Sequence, residues 1–203
     1  MQKRFLATAA LLAPLWFAPA SNAAEATRLS PATVTPTASA ETLLAQANWQ
    51  MVNPPEGRFS VRMPPGKVQK NTETRQTEIG ELKIHMHMLL SGATAQRPAA
   101  LYAVAYNDVP GNASALNDQQ INNILQKALT LLAGRRGAKA VKGPTPITLG
   151  NAPGLEADYQ VPQIGTMRYR VYLVGDRLYQ LMVMGQQGVP RDAGTFLNSF
   201  QVP

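Results

Sequence analysis

The chain has 203 residues, of which 45% are hydrophobic, 6% aromatic and 15% charged, with a formal net charge of +7 and no cysteine. Without cysteine, a disulfide framework and lipid attachment through an N-terminal thiol are both excluded. The basic excess points to anionic surfaces or acidic partners, and says nothing of fold.

Met1-Gln2-Lys3-Arg4 is a short positive region, followed by Phe5–Ala18, apolar but for Thr8, and by small residues ending Ser21-Asn22-Ala23. This is the layout of a secretory signal peptide over 1–23, with small side chains where signal peptidase needs them. Pro14 interrupts the apolar run, which is short of the roughly 20 residues a membrane span requires. Residues 24–47 are of different material, with sixteen Ala, Ser, Thr or Pro among twenty-four. Such a segment cannot bury enough surface to offset its chain entropy, so it reads as a disordered linker, with one or two helical turns expected at Glu41–Ala45. Residues 48–203 are long enough for one domain with a sizeable core. These features place the domain outside the cytoplasm, in the periplasm or, in a cyanobacterium, the thylakoid lumen.

Within the domain, Trp49–Val52 and Phe59–Met63 are short strands separated by Asn53-Pro54-Pro55-Glu56-Gly57, and Pro64-Pro65-Gly66 stops the second. Thr72–Thr77 and Glu81–Leu89 form a hairpin around Ile79-Gly80, and Leu101–Tyr106 is a further strand. Ile121, Ile124, Leu125, Ala128, Leu129 and Leu132 recur at helical spacing. Asn117 with Gln120 resembles a capping box, and Gly134 is expected just past the helix end. Pro146–Leu149 and Leu155–Val161 are strands around Asn151-Ala152-Pro153-Gly154, with Pro153-Gly154 read as turn residues.

The chain is organised around a long hairpin, Met167–Val174 with Leu178–Met184 across Gly175-Asp176-Arg177. A two-residue turn pairs Leu173 with Leu178, Val171 with Gln180 and Tyr169 with Met182 on one face. The other face then carries Tyr172 with Tyr179, Arg170 with Leu181 and Arg168 with Val183. Neither set is purely polar, so this hairpin is central, covered on one face and partly on the other. Tyr102, Tyr106 and Tyr159 join its tyrosines as sheet core. A short last helix after Pro190-Arg191-Asp192 shares Phe196, Leu197 and Phe200 on one face. The pattern predicts an α+β fold, an antiparallel β-sheet flanked by helices.

Phe59-Ser60-Val61-Arg62-Met63-Pro64, Tyr102–Tyr106, Pro153-Gly154-Leu155-Glu156, Arg170–Val174 with Leu178-Tyr179-Gln180, and Phe196–Phe200 occur in an order that resembles PsbP-like proteins. These are exported bacterial and thylakoid-lumen domains. The resemblance covers most of Asn48–Pro203 and implies an α/β/α sandwich. It also implies an accessory role beside an envelope or photosynthetic-membrane complex, and it carries over no ligand residues.

Three groups of residues carry candidate chemistry. His85-Met86-His87-Met88 holds both histidines of the chain, and imidazole and thioether suit copper. In a strand His85 and His87 share a side roughly 7 Å apart. They need a third donor such as Met63, while the bland alternative puts histidines on the surface and methionines inward. Arg135, Arg136, Lys139 and Lys142 form a basic run after the helix, suited to a protein complex, a membrane-associated partner or a membrane surface. The alternative is a solvated loop with cations near a helix C-terminus. Nucleic acid is excluded by the absence of interleaved aromatics in an exported domain. Glu156 and Asp158 share a strand face and could serve acid–base chemistry, or simply pair with Arg168 and Arg170. No catalytic motif accompanies them and no cofactor is implied. The leading reading is a non-enzymatic accessory protein; the alternatives are a copper-binding protein through His85 and His87, and a hydrolase.

Overall fold

Segments in which apolar and β-branched residues recur every second position build most of this domain. The structure, a computed structural model, describes residues 48–77, 80–93, 98–111 and 115–203. The expectations for the leader, the linker and the turns at 41–45 lie outside those residues, as does Ile79. In chain order the strands are β1 (Gln50–Val52), β2 (Val61–Met63), β3 (Gln69–Thr77), β4 (Gly80–Ser91) and β5 (Ala100–Asp108). Helix α1 (Asp118–Arg135) precedes β6 (Lys139–Leu149), β7 (Ala152–Val161), β8 (Gly165–Val174) and β9 (Arg177–Gly185), and α2 (Ala193–Asn198) follows. Strands β1 and β2 pair with each other; the other seven form one sheet in the order β3-β4-β5-β9-β8-β7-β6, antiparallel throughout.

The expectation of an α+β sandwich with helices on both faces is overturned. The domain is mostly β, with two α-helices and one 3-10 turn (Pro55–Gly57) among the described residues, and only α1 is long. One face of the large sheet packs under α1, whose Leu125, Leu129 and Ala133 are buried against Tyr159, Val161, Met167, Tyr169 and Val171. The opposite face is covered chiefly by the β1–β2 ribbon, through Trp49, Phe59, Val61 and Met63, and by the six-residue α2. The physical reason lies in the period. Trp49–Val52 and Phe59–Met63 keep the two-residue period of strands, and the one turn of 3-10 helix between them, Pro55–Gly57, is too short to form a layer.

The central hairpin has the expected register: Leu173 opposite Leu178, Tyr172 opposite Tyr179, Val171 opposite Gln180, Arg170 opposite Leu181, Tyr169 opposite Met182 and Arg168 opposite Val183. Strand β9 is the middle strand of seven. Both of its faces are core, one with Tyr179, Leu181 and Val183, the other with Leu178, Met182 and Met184.

Helix α1 begins with the expected capping box. The Gln120 N–H donates to Asn117 Oδ1 and the Asn117 N–H to Gln120 Oε1, both at 2.9 Å. It ends later than expected, because Gly134 lies inside the helix and Gly137, at φ +58°, makes the left-handed step. There the Ala138 N–H reaches Ala133 O at 2.9 Å and the Gly137 N–H reaches Gly134 O at 3.2 Å. Those bonds satisfy two of the last carbonyls of the helix, on Ala133 and Gly134. Pro153-Gly154 is not a turn either. It lies within β7, and a Cβ on Gly154 would stand 2.4 Å from the Tyr172 ring, so glycine is there for close approach.

Candidate functional site

On β4 the alternation is the expected one, with His85 and His87 on one side of the sheet. Their environments differ from both expectations. His87 is 2% exposed, held edge-on by Phe59 at 5.7 Å and stacked with Tyr106 at 6.2 Å. His85 is half-buried, stacks on Tyr106 at 4.9 Å, and its Nδ1 lies 3.2 Å from Thr72 Oγ1. The bland alternative is therefore corrected, since His87 is a core residue and Met86 and Met88 on the other side are only half-buried. The His87 Nδ1 and the Tyr106 hydroxyl are buried without a hydrogen-bond partner. Burial first, and then the Lys70 charge, hold the His87 imidazole below its ordinary value. Among the described residues, no three His, Cys, Asp or Glu side chains converge as a metal would require. Met63 is fully buried in the core on β2, and it does not line an opening beside the histidines.

Tyr106 is also the base of a stack that sequence reasoning missed. The Arg177 guanidinium lies 5.0 Å over its ring. Arg177 also grips Asp108 through Nε and Nη2, at 2.6 and 3.2 Å, and donates through Nη1 to Glu56 O at 2.8 Å. Those hydrogen bonds hold the Asp108 carboxyl below its usual range. Only the β5–β9 register, with Asp108 opposite Arg177, brings these residues together. The shallow cleft beside them is lined by Arg58, Asp108, Asp176, Arg177 and Tyr179, charges of both signs.

The carboxylates on β7 are committed to structure. Arg168 forks onto Asp158 at 2.7 and 2.8 Å, and Arg170 donates through Nε to Glu156 at 2.6 Å and through Nη1 to Asn198 at 2.9 Å. Register makes these pairs unavoidable, since Glu156 faces Arg170 and Asp158 faces Arg168 across β7 and β8. A carboxylate held in this way spends its lone pairs on a permanent cation rather than on a substrate.

The basic run has a different setting from the loop considered above. Arg135 ends α1 and Arg136 caps it, but Lys139 and Lys142 belong to β6, opposite Gln160 and Asp158. Strand β6 continues back to Lys139 because those residues still pair with β7 across two register shifts. All four cations are exposed. The ion pairs between described residues include Lys70–Glu56, Arg75–Glu73, Arg168–Asp158, Arg170–Glu156 and Arg177–Asp108. None of Arg135, Arg136, Lys139 or Lys142 has an acidic partner among the described residues. They follow one another along residues 135–142, the corner where the helix hands over to the edge strand β6.

No protein-family model matches the chain, and no curated protein matches it. Among solved structures it is similar to the crystal structure of a protein of unknown function from Pseudomonas aeruginosa, at 11% identity over 68% of this chain and 83% of that one, with a TM-score of 0.38. A likeness at that level carries no argument.

Proposed function

We propose that this is an exported, non-enzymatic binding protein, an accessory or assembly factor for an envelope or photosynthetic-membrane complex, which docks through Arg135, Arg136, Lys139 and Lys142. The observation that carries this reading is the disposition of charge. Arginines on β8 and β9 are consumed by carboxylates, whereas the four corner cations face solvent with no acidic partner among the described residues. Unneutralised cations at one corner make a positive field that steers an anionic partner. The leader-like layout of 1–23 and the PsbP-like order of core residues support the location and the accessory role. Acid–base chemistry at Glu156 and Asp158 is disfavoured by the guanidinium pairs that hold them.

Affinity capture of the protein from its own cells tests the proposal. The Arg135→Ala, Arg136→Ala, Lys139→Ala, Lys142→Ala variant is expected to lose the partner, and added salt is expected to weaken the wild-type complex. Capture that survives both the substitutions and the salt overturns it.

A further inference from the structure

We infer that what this corner meets is an anionic lipid surface, a conclusion that rests on the reading just given and names its partner. Two exposed apolar side chains lie among the cations. Val141, 65% exposed, sits between Lys139 and Lys142, and Leu131, 50% exposed, lies one helical turn before Arg135. Lys127, Leu131 and Arg135 follow one another at four-residue spacing, so they form one outward stripe on α1. The other large exposed hydrophobics among the described residues, Met51 and Leu90, lie on β1 and β4, outside this stretch. A single exposed leucine or valine is ordinary. Two of them, interleaved with partnerless cations over residues 131–142, match what an interfacial surface needs. Cations meet lipid phosphates at headgroup level while short apolar chains enter the boundary beneath.

The edge strand argues against the competing occupant, an extended acidic peptide. Addition of a strand to β6 requires an unbroken row of backbone donors and acceptors on its free side. Pro144 and Pro146 have no N–H to offer. Register shifts between Ala140 and Lys142, and between Lys142 and Thr145, bend the ladder further. These are the devices by which sheets refuse strand addition. Recognition here therefore runs through side-chain charge and apolar insertion, not through main-chain pairing. The corner is also open rather than cupped: Arg135, Arg136, Gly137 and residues 139–146 are all exposed. An exposed stretch of this length suits an extended surface better than a single enclosed phosphate. The nearest carboxylates, Glu156 and Asp158, are already neutralised by Arg170 and Arg168, so they do not cancel the corner's field.

Vesicle flotation of the full chain tests this. Two vesicle compositions are used, phosphatidylcholine alone and phosphatidylcholine with roughly one-third phosphatidylglycerol, and the quadruple alanine variant, which keeps Lys3 and Arg4 of the leader, separates the leader's share of any anionic preference from the corner's. The expected result is at least about a tenfold preference for the anionic vesicles, abolished by about 0.5 M salt. The quadruple alanine variant is expected to lose that preference. Leu131→Ser with Val141→Ser is expected to weaken anionic-vesicle binding by about tenfold, yet to leave adsorption to lipid-free polyglutamate unchanged. Equal partition of the wild type into both vesicles overturns the lipid assignment, as does undiminished vesicle binding by the serine variant. If partner capture still depends on the four cations in either case, a soluble acidic partner is the occupant and only the lipid assignment falls. If capture does not depend on them, the docking corner itself falls. Melting curves of both variants distinguish lost binding from lost folding.

Discussion

The interior of the large sheet and its β6 edge dispose of charge in opposite ways. On β7 and β8 each carboxylate faces an arginine across the ladder, and the paired side chains are between 14 and 29% exposed. A charge that is partly withdrawn from water must be paired, since the cost of leaving it alone exceeds the modest gain of making the pair. At the corner formed by α1 and β6, the cations are exposed and pairing is optional. Half-buried charge is spent on holding the sheet, whereas the solvated corner keeps charge to offer another surface.

The largest loss is expected on removing one partner from an interior pair. Arg170→Ala leaves Glu156 half-buried without its guanidinium and also removes the tie to Asn198 of α2. A loss of about 1–3 kcal/mol is expected in urea unfolding. A loss under about 0.5 kcal/mol would put this pair in the class of exposed bridges that contribute little, and the contrast with the corner would collapse.

A smaller effect, confined to a pH window, is expected at His87. Its folded-state value is lowered by burial and by the Lys70 charge, while the exposed Glu56 opposes the shift and His85 adds to it. The unfolded chain therefore binds the proton more readily than the folded one. Stability is full above about pH 6.5, the unperturbed imidazole value, and declines as pH falls below it towards the folded value. His87→Leu is expected to flatten the stability profile in that window, measured by urea unfolding from pH 7.5 downward in small steps (about half a unit each). An unchanged slope would mean that another group carries it.

The smallest expected effect sharpens the contrast by its near absence. The quadruple alanine variant of the corner is expected to unfold within about 0.5 kcal/mol of the wild type, as surface substitutions away from caps and cores do. A larger loss would mean that the corner is structural, with Arg136 the first suspect as the residue capping α1.

Much of the local structure was legible in the sequence. Asn117 and Gln120 announced the start of α1, and the Gly175-Asp176 turn set the hairpin register, so all six side-chain pairs followed from alternation alone. Phe196, Leu197 and Phe200 announced their shared face. Other features misled because they depend on what lies across the fold. Gly134 looked like a helix end, but Gly137, three residues on, takes the left-handed step. Pro153-Gly154 has turn chemistry, yet Tyr172 on the neighbouring strand needs the missing Cβ. Arg135–Lys142 looked like a loop, because two register shifts hide the periodicity by which Lys139 and Lys142 join β6.

What the sequence determined by itself are the features decided within a few residues: strand and helix positions, caps, turn length, and which side chains share a face. Backbone geometry enforces these directly, with periods of two and 3.6 residues. Only the tertiary structure decided which faces are covered, and by what. Phe59, 28 residues before His87 in the chain, turns a candidate metal ligand into a core residue. The β1–β2 ribbon replaces the expected helical layer for the same reason. Burial is a property of pairs of surfaces distant in sequence, and no local period records it. The corner cations remained free of acidic partners because register had already given Glu156 and Asp158 to Arg170 and Arg168, an assignment settled strand against strand.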